Sequence, residues 1–172
     1  MAIAFESQRL TVVEVAEGLD LSKHSFLLER IPQILTPAVV ENLPPYFHEI
    51  GSSEQARIWL ERMLSESRLL QVGTEEHDLI GFLFAYVEND ESAHIGYLLA
   101  EEYWGRGLAS ELLQGFINEV EKSESWLKLI GGVDQSNIAS AKLLKKLGFI
   151  EQPANDSGVV FYEYTIPPRP QS

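Results

Sequence analysis

From Leu69 to Ala100 the chain holds three short apolar runs separated only by the polar turns Thr74–Asp78 and Glu88–Glu91. Leu69–Gly73, Leu79–Val87 and Ser92–Ala100 are each of strand length. Connections this short join antiparallel neighbours, because a parallel return needs a crossover of about a dozen residues or more. A three-stranded antiparallel unit must cover its apolar faces, and the flanking segments supply helices for that purpose. Upstream, Ser52 or Ser53 caps a helix running to about Glu66, with Ala56, Trp59, Leu60 and Met63 on one face and Glu54 in the first turn. Downstream, Ala109, Leu112, Leu113, Phe116, Ile117 and Val120 keep helical spacing from Gly107 to Lys122.

The remaining elements complete a mixed α/β order. Residues 8–15, with Leu10, Val12, Val13 and Val15, read as a first strand. Leu127–Val133 is a strand, Asn137–Leu147 a helix closed by Gly148, and Phe149–Gln152 and Val159–Ile166 are two last strands. Residues 19–50 are the least legible: one short helix from Ser22 to Arg30, then Pro32, Pro37, Pro44 and Pro45 interrupting regular structure. Pro167, Pro168 and Pro170 predict a loose tail over 167–172. A length of 172 residues suits a single domain, 1–172, around one core.

The formal net charge of −13 argues against a nucleic-acid partner, since phosphate backbones need a basic face. It suits attraction of a cationic amine as well as plain solubility. The absence of cysteine removes disulfides, thiolate metal sites and a cysteine nucleophile, and fits a reducing compartment. No run reaches the ~20 apolar residues of a membrane span, and Met1 to Arg9 has no signal-like pattern, so the expected location is cytoplasmic, with no membrane partner. His24, His48 and His77 lack ligand-like spacing with carboxylates, and no metal is expected.

Gly105-Arg106-Gly107-Leu108-Ala109-Ser110 joins the third strand to the amphipathic helix. Small residues let the backbone approach a ligand, and the first helical amides lack partners, which together favour an anion such as pyrophosphate. A dinucleotide fingerprint fits poorly, because Ser110 stands where glycine or alanine is required and the strand ends too early. A nucleoside-triphosphate loop would need Gly-Lys-Ser/Thr, which is absent. A purely structural turn stays open for a lone Gly-x-Gly.

The loop is not alone. The string Ala93-His94-Ile95-Gly96-Tyr97-Leu98-Leu99-Ala100-Glu101-Glu102-Tyr103-Trp104-Gly105-Arg106-Gly107-Leu108-Ala109 resembles the core acetyl-CoA motif of the Gcn5-related N-acetyltransferases (GNAT). About thirty residues after Gly107, Asn137-Ile138-Ala139-Ser140-Ala141-Lys142-Leu143-Leu144-Lys145-Lys146-Leu147-Gly148-Phe149 is similar to that family's second motif. Tyr-Trp-Gly-Arg-Gly and Asn-x-x-Ser look most like the ribosomal-protein-alanine N-acetyltransferase group. The resemblance covers nearly the whole chain, is weakest over 16–50, and implies a GNAT-like, mostly antiparallel central sheet flanked by helices.

It further implies acetyl-CoA as co-substrate. The amides of Gly105, Arg106, Gly107, Leu108, Ala109 and Ser110 would hold the pyrophosphate, and the backbone of Leu98, Leu99 and Ala100 would pair with pantetheine. Asn137 would bond the pantetheine arm. Apart from the resemblance, Lys142, Lys145 and Lys146 form a basic patch on an acidic protein that could reach the 3′-phosphate, Lys142 foremost for its place in the first turns, or they are an exposed helix face with charge favourable near a helix C-terminus. Trp104 departs from the glutamine or arginine that usually opens the motif. The place of the family's tyrosine acid holds Leu144, which has no proton to give. Because the alanine acetyltransferase group has a serine one helical turn after the asparagine, the resemblance implies Ser140 as the alternative acid, against a helix-surface hydroxyl bonding back to a carbonyl. His94 stands where the family often has a glutamate base, and imidazole suits that task at neutral pH. The other reading of His94 is a strand histidine facing solvent or a polar neighbour. Glu88, Glu91 and Glu102 are weaker candidates. Pro44-Pro45-Tyr46-Phe47 and Val159-Val160-Phe161-Tyr162 are candidate walls of the acceptor pocket, or core. The expected function is acetyl transfer to a primary amine, on a protein N-terminus or a small molecule, by direct attack in a ternary complex. The alternative is a non-catalytic acyl-CoA-binding sensor. Oligomeric state stays open, a homodimer included.

Overall fold

A computed structural model describes residues 2–16 and 24–168. Its elements are β1 (Ala4–Glu6), β2 (Thr11–Glu14), α1 (Ser25–Ile34), α2 (Pro37–Val40), a 3-10 turn (Pro45–Phe47), α3 (Ser53–Glu66), β3 (Arg68–Gly73), β4 (Gly81–Glu88), β5 (Ser92–Leu99), a second 3-10 turn (Glu101–Tyr103), α4 (Leu108–Ser123), β6 (Lys128–Asp134), α5 (Ile138–Lys146), β7 (Ile150–Glu151) and β8 (Val159–Thr165). The strands form one sheet in the order β1-β2-β3-β4-β5-β6-β8-β7. Every neighbouring pair is antiparallel except β5 with β6. The mixed, mostly antiparallel sheet flanked by helices is the architecture that the sequence implied.

Alternation along the strands sorts side chains onto two faces. Phe82, Phe84 and Tyr86 of β4 share a face with Leu98, Gly96 and His94 of β5. The Trp59 ring of α3 packs edge-on against Phe82, with centroids 5.4 Å apart, so α3 covers this face, and α1 lies against α3. The opposite face carries Ala93, Ile95 and Tyr97 beside Leu129, Gly131 and Val133. There α5 packs Leu144 against Gly131, and α4 sets Gly115 against Phe5 of β1. One apolar cluster runs through both sides, from Ile3 and Val12 to Phe116 and Leu129.

Three sequence expectations change. The first strand, read as 8–15, is β2, and a strand too short to show a period, β1, precedes it and pairs as a hairpin. The helix expected from Ser22 to Arg30 starts at Ser25, Ser22 lying outside the described residues, and it continues through Pro32 to Ile34. Burial of Leu27, Ile31 and Ile34 outweighs the one hydrogen bond that the proline forfeits. Pro37 and Pro45 do not interrupt structure but open helical turns, where a missing N–H costs nothing. Of the predicted tail, Pro167 and Pro168 have no regular structure, and 169–172 lie outside the described residues. No helix among the described residues is long and apolar enough to cross a membrane.

Candidate active site

The site begins where the sheet opens. Strands β5 and β6 pair only from Ser92 with Lys128 to Ile95 with Gly131. Beyond that point β5 runs on to Leu99 and β6 to Asp134 with no pairing between them. Ala100 N–H donates to the Ile80 carbonyl at 2.8 Å, so even-numbered residues of β5 spend their polar backbone groups on β4. A Cβ on Gly81 would lie 2.2 Å from the Leu98 oxygen, as that orientation requires. Tyr97 and Leu99 are therefore the residues whose backbone faces the gap. Alternation thus alters the expectation for Leu98, Leu99 and Ala100: the Leu98 groups are taken by β4, and the Ala100 oxygen accepts from Tyr103 N–H at 2.9 Å. The Trp104 indole N–H donates to the Leu99 oxygen at 2.9 Å, which leaves the Leu99 N–H directed into the gap.

The loop at the end of β5 is built for close approach. Gly105 and Gly107 have φ of 74° and 77°, a left-handed region that costs other residues about 1–2 kcal/mol. A Cβ at Gly105 would meet nothing within 4 Å, so the space beside it is open. Gly107 caps α4 without a side chain, and the first helical bond is Glu111 N–H to the Gly107 oxygen at 3.1 Å, so the amides of Leu108, Ala109 and Ser110 have no intrahelical acceptor. The helix N-terminus adds partial positive charge there. A cradle of free amides around an open glycine fits a pyrophosphate.

Across the gap, Asn137 caps α5, its Oδ1 accepting from Ser140 N–H at 3.3 Å, and its side-chain N–H groups have no acceptor among the described residues. Ser140 Oγ lies 3.2 Å from the Tyr97 hydroxyl. That pair ties the gap-facing edge of β5 to the first turn of α5. Burial pushes the Tyr97 phenol above its ordinary value, and the Ser140 hydrogen bond opposes that only in part. Lys142 is exposed, whereas Lys145 is drawn to Glu151 at 3.5 Å.

His94 lies on the other face. Its Nε2 is 3.0 Å from Glu88 Oε2, and its ring lines a cleft of about 560 Å³ with Tyr46, Met63, Ser65, Glu66, Ser67, Phe84, Tyr86 and Ile95. Phe84 covers Gly96, where an added Cβ would lie 2.3 Å from the ring, and Gly96 is the first β5 residue past the last β6 pair. The cleft's lining thus extends along β5 as far as Ile95, the last residue paired with β6. Of the two aromatic segments, Tyr46 walls the cleft while Phe47 is core, and Phe161 lies over Gly132 on the β6 side of the gap. Among the described residues no cluster of His, Asp and Glu could hold a metal.

The Acetyltransferase (GNAT) domain matches residues 28–150, well over half of the chain. The chain belongs to the GNAT family. Solved structures agree in fold. A GNAT-family acetyltransferase from Bacillus anthracis is 16% identical, with TM-score 0.73 over 95% of this chain and 98% of that one. Ribosomal-protein-S5-alanine acetyltransferase from Vibrio fischeri is 18% identical, with TM-score 0.74 over 95% and 97%. The microcin C7 self-immunity acetyltransferase MccE, solved with acetyl-CoA and AMP, is 14% identical, with TM-score 0.74 over 93% and 94%. No curated protein sequence matches.

Within this GNAT domain the departures from the family motif have physical counterparts. Leu144, in the tyrosine's place, is buried and fills the space over Gly131, where a Cβ would come within 2.9 Å of its methyl group. Tyr97 was not singled out by sequence reading. Its signal was present in the β5 alternation, which puts it on the α5 face, but only the packing of α5 shows that its hydroxyl meets Ser140.

Proposed function

We propose that this GNAT chain is an acetyl-CoA-dependent N-acetyltransferase that moves an acetyl group onto a primary amine by direct attack in a ternary complex. The observation that carries the reading is the unpaired edge of β5 leading straight into a glycine loop with free amides. An extended pantetheine arm can add to that edge as a strand does, through the backbone of Tyr97 and Leu99. The amides from Gly105 to Ser110 suit the pyrophosphate, the spare Asn137 amide the arm, and Lys142 the 3′-phosphate. MccE, of the same fold, carries acetyl-CoA.

In the reaction the neutral amine attacks the thioester carbonyl, a C–N bond forms and the C–S bond breaks. The nitrogen loses a proton and the departing thiolate gains one. In this reading His94, bonded to Glu88 at the cleft, takes the first proton, directly or through water. Ser140, hydrogen-bonded to the Tyr97 hydroxyl, gives the second. Acid and base thus approach the gap from opposite faces of the sheet. The cleft's Tyr46, Phe84, Tyr86 and Met63 favour an amine carried on an apolar body, and its bordering cation, Arg62, is occupied by Glu66 at 3.3 Å and by the Tyr46 ring at 3.8 Å. A protein N-terminus or a small aryl or alkyl amine satisfies these demands.

The test is thiol release from acetyl-CoA against an amine panel, beside calorimetric titration with CoA. Turnover with an apolar primary amine is the expected result. CoA binding without turnover on any amine would make the chain an acyl-CoA sensor instead, a role that Leu144 in the acid position favours.

A further inference from the structure

The β1–β2 turn lies outside residues 28–150, yet it bonds to the glycine loop and to the first turn of α4. Arg9 Nη1 donates to the Arg106 oxygen at 2.8 Å, in the peptide between the two left-handed glycines. Arg9 Nε donates to Glu111 Oε1 at 2.7 Å, and Arg9 N–H to Glu111 Oε2 at 2.7 Å. Ser7 Oγ donates to the same Oε2 at 2.5 Å. Glu111 belongs to the opening turn of α4. Burial alone would raise its carboxyl, but the bonds from Ser7 and Arg9 outweigh burial and hold it below the usual carboxylate range, so it stays ionised.

A carboxylate one turn from a polyphosphate repels it, which makes Glu111 a liability unless it is neutralised. A trans peptide also points its C=O and the following N–H in opposite directions. Pulling the Arg106 oxygen toward Arg9 therefore turns the Gly107 N–H away from the hairpin. We infer that Arg9 is a positioning residue for the phosphate loop: from the β1–β2 turn it pins the Arg106 carbonyl and neutralises Glu111, so that the loop is preorganised for the donor's polyphosphate. This rests on the loop being the CoA site. The planar guanidinium is what allows one side chain to hold both partners, since a lysine ammonium cannot span them in fixed geometry. Nη2, 3.6 Å from where a Gly107 Cβ would lie, keeps the charge beside the loop.

The test compares wild type, Arg9→Lys, Arg9→Met and Arg9→Met with Glu111→Gln, by CoA calorimetry, acetyl-CoA kinetics and melting. Arg9→Met should raise the CoA Kd and the acetyl-CoA KM about tenfold or more, with kcat at saturation within about twofold. Arg9→Lys should fall between the two, having the charge without the fork. Adding Glu111→Gln to Arg9→Met should recover about threefold of the lost affinity, because the unneutralised carboxylate is gone. A folded Arg9→Met with wild-type Kd, or one that lowers only the melting temperature, overturns the inference. Should Arg9→Met fail to fold, an unchanged KM in Arg9→Lys overturns it equally. Wild-type protein that binds no CoA removes the donor site itself, and wild-type binding retained in Arg9→Met removes only the role of Arg9.

Discussion

Replacing Gly105 with alanine isolates the backbone contribution of the glycine loop. Its φ is 74°, and the new Cβ would meet no protein atom within 4 Å, so the substitution introduces no clash in the free protein. The cost is conformational, about 1–2 kcal/mol if the residue stays left-handed. Against this, alanine narrows the unfolded ensemble and returns about 0.4–1 kcal/mol. Net destabilisation should be no more than about 1.5 kcal/mol, and at about 2–4 °C per kcal/mol the melting temperature should drop by at most about 6 °C. Binding compares two folded states, so the unfolded ensemble does not enter. If the free loop relaxes out of the left-handed region, the strain is charged on binding instead, and the CoA Kd should rise roughly 5- to 30-fold. Circular-dichroism melting and calorimetric titration measure the two shares. Asparagine tolerates the left-handed region, so Gly105→Asn separates strain from crowding: a large Kd rise there reports a side chain standing where the ligand must come close. A melting loss well beyond about 6 °C in Gly105→Ala, with the protein still folded, would refute the reasoning.

Ser140→Ala and Tyr97→Phe should each lower kcat about tenfold with little change in the acetyl-CoA KM, and together less than multiplicatively, because they share one hydrogen bond. Full activity in both would leave the thiolate departing without an enzymatic acid. His94→Gln should lower kcat with little change in the acetyl-CoA KM, and its effect should multiply with that of Ser140→Ala, since the two side chains lie on opposite faces of the sheet. Full activity would mean that the amine loses its proton to bulk water. Asn137→Ala should raise the acetyl-CoA KM and also lower stability by about 0.5 kcal/mol, the low end for a cap, given its long 3.3 Å bond. A change in melting alone would leave it a cap only. Burial by itself raises the Glu14 carboxyl, but the Arg68 bonds at 2.7 and 3.0 Å and the Ile3 N–H outweigh burial and set it below its unfolded value. The stability that Glu14 contributes is therefore present above the unfolded carboxyl value and is lost as pH falls through the lowered folded one. Urea midpoints measured across that window should decline less steeply for Glu14→Gln, and equal slopes would exclude the linkage.

Elements with a clear period were legible residue by residue: α3, α4, the β3–β5 meander and the glycine loop all fall within a residue or two of where pattern and turn chemistry place them. Periodicity reports which side of an element is buried, and that is a local property. The segment from 19 to 50 was not legible, because a proline that opens a helical turn and one that breaks it read alike until burial decides. The site itself needed the tertiary structure. Where β5 and β6 part depends on a pairing between residues 92–95 and 128–131, and that point decides that Tyr97 and Leu99, rather than Leu98 and Ala100, direct backbone groups into the gap. The Tyr97–Ser140 and Arg9–Glu111 contacts join residues 43 and 102 positions apart. A single sequence carries no period at such separations, so the motifs by themselves determined which chemistry the chain can hold, and long-range register decided which atoms face it.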